Sequence, residues 1–264
     1  MNWSWLLPEP VSTFGSEIDS IYYLILVITA AIFVIVEVAL VVFMLKYRHR
    51  EGRRAEYSHG HTTLEVVWTV VPFILVMVIA WMSMQVWLEA KIANEAHVPA
   101  GALPLRVAAK QFEWNVTYPG PDEKLDTADD FVKRNQLHLP VNRAVRIDLT
   151  SEDVIHSFFL PDMRVKQDAV PGMVIGVWVQ PTKAGEYSLG CAELCGLGHY
   201  RMKGSVTVHE AEAFRSWVME EGGQPPAVET PAPADTADAA SAPSVPEHGE
   251  HSSQKPATEP EERA

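Results

Sequence analysis

Two long apolar runs near the start of the chain limit what it can fold into. Residues 21–45 and 66–88 consist almost entirely of apolar side chains. Each run exceeds the ~20 residues that a helix needs to cross a ~30 Å hydrocarbon core. A cleaved signal peptide has a basic start and a shorter apolar stretch, whereas residues 1–20 contain no Lys or Arg. The sequence therefore predicts an uncleaved two-helix transmembrane hairpin over residues 21–90.

Charged residues around the two runs indicate the orientation of the hairpin. The connecting segment 46–64 is basic, and the outer flanks are acidic or neutral. Lys and Arg beside membrane spans stay mostly on the cytoplasmic side. We therefore expect a cytoplasmic 46–64 loop, with residues 1–20 and everything after Glu89 exported. The basic residues of the loop are Lys46, Arg48, Arg50, Arg53 and Arg54.

The region after the hairpin has the pattern of an all-β domain. Short β-branched runs alternate with Pro- and Gly-containing breaks, which is typical of a β-sandwich or a Greek-key barrel. A short amphipathic helix is expected to begin near His209 and to pack on the barrel. We assign residues 91–221 to this domain. The predicted strands are 105–118, 136–139, 144–149, 154–160, 174–180, 185–189 and 204–208.

The last segment, residues 222–264, is rich in Pro, Ala, Glu, Ser and Thr and has almost no large apolar side chain. Such a segment buries too little surface to offset its ordering entropy, so we expect it to be disordered. His248 and His251 within it are interpreted as solvated side chains rather than ligands.

Soft metal donors are concentrated in one short segment. This segment is Cys191-Ala-Glu193-Leu-Cys195-Gly-Leu-Gly-His199-Tyr-Arg-Met202, and it contains both cysteines of the chain. Two thiolates, an imidazole and a thioether favour copper, which tolerates a long axial Met. A zinc site would leave the Met without a role. A structural disulfide, possible in an oxidising compartment, would leave the His and the Met unexplained.

A further imidazole donor is expected upstream of this segment. His156 lies in Ser151-Glu-Asp153-Val-Ile-His156-Ser-Phe, within the predicted strand 154–160. The complete donor set predicts a copper site that carries electrons.

The two motifs together resemble those of cytochrome c oxidase subunit II, a family of the haem-copper oxidases. The family pattern is C-x-E-x-C-G-x-x-H-x-x-M with an upstream D-V-x-H-S, and the likeness extends from the first apolar run to Val208. The resemblance implies a cupredoxin-like Greek-key barrel that holds a binuclear copper centre, CuA. It also implies a bacterial inner (plasma) membrane protein with the barrel on the periplasmic side.

The resemblance assigns a role to each ligand. Cys191 and Cys195 would bridge the two copper ions. His156 and His199 would be the terminal ligands, Met202 a weak ligand of one ion, and the Glu193 carbonyl a ligand of the other. The Glu193 side chain would help to hold a Mg or Mn ion shared with subunit I.

The resemblance also implies the partners of the chain. The catalytic subunit I would contain the haem and reduce oxygen to water, coupled to proton pumping, and a subunit III would complete the assembly. Cytochrome c would be the electron donor; the formal charge of −13 would steer a cationic donor and gives no reason to expect nucleic acid. Membrane lipid would surround the hairpin.

The chain departs from the family at the point where electrons enter. Relatives have Gln-Trp-x-Trp, and this chain has Gln111-Phe112-Glu113-Trp114. The resemblance makes Phe112 the surface aromatic that receives the electron and Trp114 the second aromatic. Because Phe lacks an indole N–H, the donor is expected to be an unusual cytochrome c.

Glu65 precedes the second apolar run. In the family a glutamate at this register stands at the cytoplasmic mouth of a proton channel. The alternative is a carboxylate that is favoured by the helix N-terminus.

Three other interpretations remain at this stage. A quinol oxidase subunit II has the same hairpin and barrel without the copper ligands. A soluble CuA carrier, or the copper domain of nitrous-oxide reductase, would lack the paired spans. A membrane-anchored structural β-domain would contain a disulfide instead of a metal.

Overall fold

The computed structural model describes residues 6–54, 57–91 and 98–222. Two long helices come first: α1 (Gly15–Lys46) and α2 (Thr62–Lys91). Their 32 and 30 residues, at 1.5 Å per residue, extend beyond a ~30 Å hydrocarbon core. Both are apolar enough to cross a membrane, and their apolar windows are not buried by the rest of the chain. The predicted transmembrane hairpin is confirmed, with both helices longer than the apolar runs.

The described residues after the hairpin form a β-sandwich with two five-stranded sheets. One sheet has the order β3-β2-β1-β5-β8 and the other β4-β10-β9-β6-β7. The pairs β1/β5 and β4/β10 are parallel, and the other pairs are antiparallel. The strands are β1 (Leu103–Lys110), β2 (Glu113–Tyr118), β3 (Phe131–Arg134), β4 (Gln136–Pro140), β5 (Val145–Ser151), β6 (His156–Leu160), β7 (Val165–Ala169), β8 (Ile175–Val179), β9 (Gly185–Cys191) and β10 (Lys203–His209).

The core lies between the two sheets and follows from the alternation of side chains along the strands. In β1, Leu103, Leu105, Val107 and Ala109 are buried, and the intervening residues are half-exposed. This period of two places one face of each strand against the opposite sheet. The fold class expected from the sequence, a transmembrane hairpin followed by a cupredoxin-like all-β domain, is correct.

The predicted strand over residues 105–118 is wrong. The structure divides it into β1 and β2, an antiparallel pair in which Lys110 lies opposite Glu113. Gln111 and Phe112 form the connecting turn, here called the β1–β2 turn. The sequence gives no sign of it because neither residue is a Gly, Asn or Asp.

Two strands were missing from the sequence-based prediction. β3 and β7 are the outermost strands of their sheets, each paired on one side only. Their sequences, Phe-Val-Lys-Arg and Val-Lys-Gln-Asp-Ala, contain the charged residues that protect sheet edges from aggregation. With charged residues in such short segments, the alternation of apolar residues used to predict strands is too weak to be recognised.

A third helix, α3 (Ala211–Gly222), follows β10 and packs on the barrel as expected. Its Phe214 is buried, and Trp217 stacks on His138 of β4 with ring centroids 4.2 Å apart. The segment predicted to be disordered lies outside the described residues, except for Gly222.

Candidate metal centre

The topology brings the predicted ligands to one end of the second sheet. Cys191 is the last residue of β9, and His156 is the first residue of β6. These two strands are neighbours, with Phe158 opposite Cys191. The connection from β9 to β10, residues 191–202, is here called the ligand loop; it carries the remaining candidate donors.

The ligand loop folds back so that its sulfur atoms meet. The Cys191 and Cys195 Sγ atoms are 3.8 Å apart. Met202 Sδ lies 3.8 Å from Cys195 Sγ, and His199 Nδ1 lies 3.6 Å from the same sulfur. A single 3-10 turn over His199–Arg201 reverses the chain and allows residues 195, 199 and 202 to converge.

The other side of the cluster is formed by His156 and a backbone carbonyl. Cys191 Sγ lies 4.0 Å from His156 Nδ1 and 3.2 Å from the Glu193 carbonyl oxygen. Among the described residues, His156, Cys191 and Cys195 form a cluster that could hold a metal ion. Their ligand atoms lie within 4.8 Å of one another.

The separation of the two sulfurs tests the alternative of a disulfide. A disulfide bond is about 2.05 Å long, whereas these sulfurs are 3.8 Å apart and both cysteines are free. Their separation is also less than twice the ~2.3 Å of a metal–thiolate bond. Both sulfurs would therefore be within bonding reach of a metal ion held at this site. With nitrogen and thioether donors beside them, the residues fit copper.

His156 is held in the tautomer that a metal ligand needs. Its side chain is fully buried, and its Nε2 donates to Asp153 Oδ1 at 2.8 Å. With the proton on Nε2, the Nδ1 lone pair is free and faces Cys191. Partial burial would raise the pKa of the Asp153 carboxyl. Hydrogen bonds from His156 and from the Gln111 and Val154 backbone N–H groups outweigh this and lower its pKa.

The surroundings of Cys195 favour its neutral thiol in the absence of a cation. Burial, together with the hydrogen bond and the charge of Cys191, raises the pKa of Cys195 to about 11. A bound cation offsets the free-energy cost of ionising the thiols, because both thiolates then face a positive charge. Metal binding is therefore coupled to proton release at this site.

The two aromatic residues singled out in the sequence lie on either side of the ligands. Phe112 is half-buried and its ring lies against Gly196 and Gly198 of the ligand loop. Trp114 is fully buried, with its ring edge-on to His156 at a centroid distance of 6.2 Å. Trp114 Nε1 has no hydrogen-bond partner among the described residues.

The remaining predicted site residues do not join this cluster through their side chains. Glu193 is exposed on the outer surface of the ligand loop. Glu65 lies in the first turn of α2, near the end of the helix remote from the barrel. About 39 Å of helix, at 1.5 Å per residue, separates Glu65 from Lys91, the end of α2 from which the chain continues to the barrel.

Asp153 and Gln111 contact the candidate ligands, and the sequence-based site did not include them. Asp153 had a usable signal, since an acidic residue three positions before a candidate His ligand can orient its ring. Gln111 belongs to the Gln-Trp-x-Trp pattern, but its contact with the ligand loop depends on a turn that the sequence did not predict. Its side-chain Nε2 donates to the Cys195 carbonyl oxygen at 2.6 Å.

Comparisons with known proteins match most of the chain to a single family. The family models "Cytochrome C oxidase subunit II, transmembrane domain" and "Cytochrome C oxidase subunit II, periplasmic domain" match residues 1–86 and 108–209. The alternative cytochrome c oxidase subunit 2 of Bradyrhizobium diazoefficiens is 30% identical over 241 residues, covering 83% of this chain and 84% of that protein. The probable cytochrome c oxidase subunit 2 of Rickettsia bellii is 32% identical, with 82% and 83% covered.

Among solved structures, the periplasmic domain of subunit II of cytochrome oxidase from Bradyrhizobium japonicum is 33% identical. The match covers 48% of this chain and 97% of that domain, with a TM-score of 0.41. The family models and the two full-length relatives show that this chain belongs to the cytochrome c oxidase subunit II family.

Proposed function

We propose that this chain is the subunit through which a haem-copper oxidase takes up electrons, and that its barrel holds the binuclear centre CuA. The observation that carries the proposal is the pair of thiols 3.8 Å apart, flanked by imidazole nitrogen on both sides. When bound, the copper pair would accept and release single electrons. The proposed ligands are His156, Cys191, the Glu193 carbonyl oxygen, Cys195, His199 and Met202.

The protein's own contribution is to hold these donors still. Cys195, Met202 and His156 are almost fully buried, and His156 is fixed by Asp153. Side chains locked by packing and by hydrogen bonds keep a site in one geometry. A ligand shell that does not rearrange favours rapid electron transfer, because little energy is spent on moving atoms.

We propose that electrons enter through Phe112 and that Trp114 is the second aromatic on the route. The position of Phe112, half-buried against the ligand loop, supports the first role. The edge-on contact of Trp114 with His156 supports the second. The proposed donor is cytochrome c, and the acidic charge of the chain would attract a cationic one.

The assembled enzyme would contain further subunits and ions. Haem in subunit I would reduce oxygen to water with proton pumping, and subunit III would complete the complex. The exposed Glu193 carboxylate is available for a Mg or Mn ion at the subunit I interface. Glu65, at the start of α2, would stand where protons enter.

The proposed arrangement in the membrane follows from the basic loop. Residues 46–64 would lie in the cytoplasm, and both the N-terminal segment 1–20 and the copper domain, residues 91–221, in the periplasm. The hairpin over residues 21–90 would anchor the domain. Residues 222–264 would form a disordered tail.

Metal analysis of the full-length chain in detergent tests this function. The reduced protein is mixed with copper, freed of excess metal, and examined by elemental analysis, visible absorption and electron paramagnetic resonance. We expect two copper ions per chain and a spectrum in which one unpaired electron is shared by both. The control, Cys191→Ser with Cys195→Ser, should bind neither ion. A single ion, a preference for zinc, or a Cys191–Cys195 disulfide in the native complex would contradict the proposal.

A further inference from the structure

The β1–β2 turn connects the two segments that supply the metal ligands. The Gln111 backbone N–H donates to Asp153 Oδ2 at 2.7 Å. The Gln111 side-chain Nε2 donates to the Cys195 carbonyl oxygen at 2.6 Å. Asp153 in turn accepts a hydrogen bond from His156. Gln111, which is not one of the proposed ligands, therefore joins the His156 segment to the ligand loop.

The neighbouring residue of the turn packs directly on the ligand loop. A Cβ atom added to Gly198 would lie 2.5 Å from Phe112 Cδ2, and one added to Gly196 would lie 2.6 Å from Gln111 Nε2. These distances are far below van der Waals contact. Gly196 also has a φ of 134°, which disfavours any side chain. The loop backbone and the turn thus fit together only because glycine stands at both positions.

The ligand loop has few other anchors on its outer side. Its large apolar side chains Leu194, Leu197 and Tyr200 are 77%, 95% and 85% exposed. Side chains that remain in solvent contribute little packing energy to the loop. The loop is held from inside by Cys195 and Met202, and from outside by the β1–β2 turn.

We propose that Gln111 is a positioning residue for the metal centre. Its amide donor fixes the Cys195 carbonyl, and with it the orientation of the Cys195 sulfur, while Phe112 presses on the loop at Gly198. This inference rests on the proposed copper function and adds a residue that touches no metal. Gln111 would slow copper release and set the geometry at the Cys195 side of the site.

The test compares two Gln→Met substitutions in the copper-loaded full-length chain. Gln111→Met keeps the length of the side chain and removes the donor to Cys195. Gln180→Met is the matched control, because Gln180 Nε2 donates to the Asn142 carbonyl oxygen at 3.4 Å, away from the ligands. The measurements are the rate of copper release to an excess of chelator, and the copper hyperfine splitting by electron paramagnetic resonance.

We expect Gln111→Met to release copper about tenfold faster, which corresponds to about 1.4 kcal/mol, and to change the hyperfine splitting. Gln180→Met should do neither. Thermal unfolding of the metal-free proteins shows whether a variant fails to fold. Misfolding would reduce the amount of bound copper but would not change the hyperfine splitting of the copper that remains bound.

A second pair of variants tests the same proposal through packing. Gly198→Ala inserts a methyl group against the Phe112 ring and should also speed copper release. Combining it with Phe112→Ala opens space for the methyl group, so the double variant should release copper no faster than Phe112→Ala alone. If Gln111→Met and Gly198→Ala both retain copper as the wild type does, the positioning role is wrong and the copper function stands. If the wild-type chain binds no copper, both are wrong.

Discussion

Arg164 and Asp19 form a two-pronged ion pair between the barrel and the first helix. Arg164 Nε and Nη2 lie 2.6 and 2.9 Å from the two carboxylate oxygens of Asp19. Their side chains are only 8% and 13% exposed. Nearby, Trp178 Nε1 donates to the Glu89 carbonyl oxygen at 3.0 Å, which ties the barrel to the second helix. Both helices are thus attached to the β-sandwich.

Removing one partner of this ion pair should weaken the attachment strongly. Arg164→Met leaves the Asp19 carboxylate buried without its partner, and we expect a loss of about 3 kcal/mol in unfolding free energy. Replacing both residues, as Asp19→Leu with Arg164→Met, should recover most of that loss. Chemical unfolding of the full-length chain in detergent measures both. The exposed pair Lys183–Glu9 provides the control: Lys183→Met should leave the unfolding free energy nearly unchanged.

Met202→Leu should change the copper spectrum without unfolding the domain. Met202 is 2% exposed, and the substitution nearly conserves its volume, so we expect a stability change below about 1.5 kcal/mol. Loss of the thioether should alter the copper hyperfine splitting while two ions stay bound. Met219→Leu, at a site 65% exposed on α3, should leave the spectrum unchanged. An unaltered spectrum in Met202→Leu would remove Met202 from the ligand set.

The stability of the domain should fall in mild acid because of His138. Burial, together with the neighbouring His209 and Lys133, lowers the pKa of His138 to about 4. Its Nδ1 is hydrogen-bonded to His209 Nε2 at 2.8 Å. The unfolded chain takes up a proton near pH 6.5 and the folded chain only near pH 4, so acid favours unfolding between these values.

Unfolding measured from pH 7.5 to 4 checks this expectation. His138→Phe keeps the stacking on Trp217 and removes the titrating group, so the decline below pH 6.5 should become shallower. His49→Phe, at an exposed position in the loop between the helices, should leave the decline as it is. Equal slopes in His138→Phe and the wild type would contradict the role of His138.

Phe112→Leu should slow electron uptake. Leucine keeps an apolar side chain over Gly198 and removes the aromatic ring, so the copper site should be retained while the rate of reduction by cytochrome c falls several-fold. Stopped-flow reduction of the assembled oxidase measures the rate, and visible absorption measures the site. Met173→Leu, at an exposed apolar position outside the ligand loop, serves as the control. Reduction at the wild-type rate would take Phe112 out of the electron route.

Glu65→Gln should lower turnover and proton uptake by the assembled oxidase, if the carboxylate stands at the proton channel. The substitution keeps the shape of the side chain and removes its ability to exchange a proton. Glu51→Gln changes another exposed carboxylate in the same part of the chain and should have no effect. Full activity in Glu65→Gln would leave only a helix-terminal role for this residue.

How much could be predicted from the sequence differs between the ligands and the residues that hold them. The ligands lie in two short motifs, and the structure brings the atoms of both motifs within a few ångströms. Asp153 belongs to one of these motifs, so its contact with His156 could have been expected from the spacing. Gln111 could not, because its contact with Cys195 joins residues 84 positions apart and depends on the unpredicted β1–β2 turn.

The strands that were missed have a related cause. Apolar alternation identifies strands that are buried on one face, and β1, β5 and β10 follow it. The missed strands β3 and β7 have charged side chains among their few residues, so the apolar alternation is weak. Edge position alone is not the cause, because β4 and β8 are also edge strands and were predicted. The hairpin was the simplest feature to predict, because a long apolar run has few alternatives.

The pairing of β6 with β9 has a consequence for biogenesis. These strands deliver His156 and Cys191 from positions 35 residues apart in the chain, so the donors meet only after the second sheet has closed. A nascent chain emerging from the membrane would therefore offer no high-affinity cavity for the metal. Loading of the proposed copper would be a late event that follows completion of the sandwich, and occupancy would report on whether the subunit has matured.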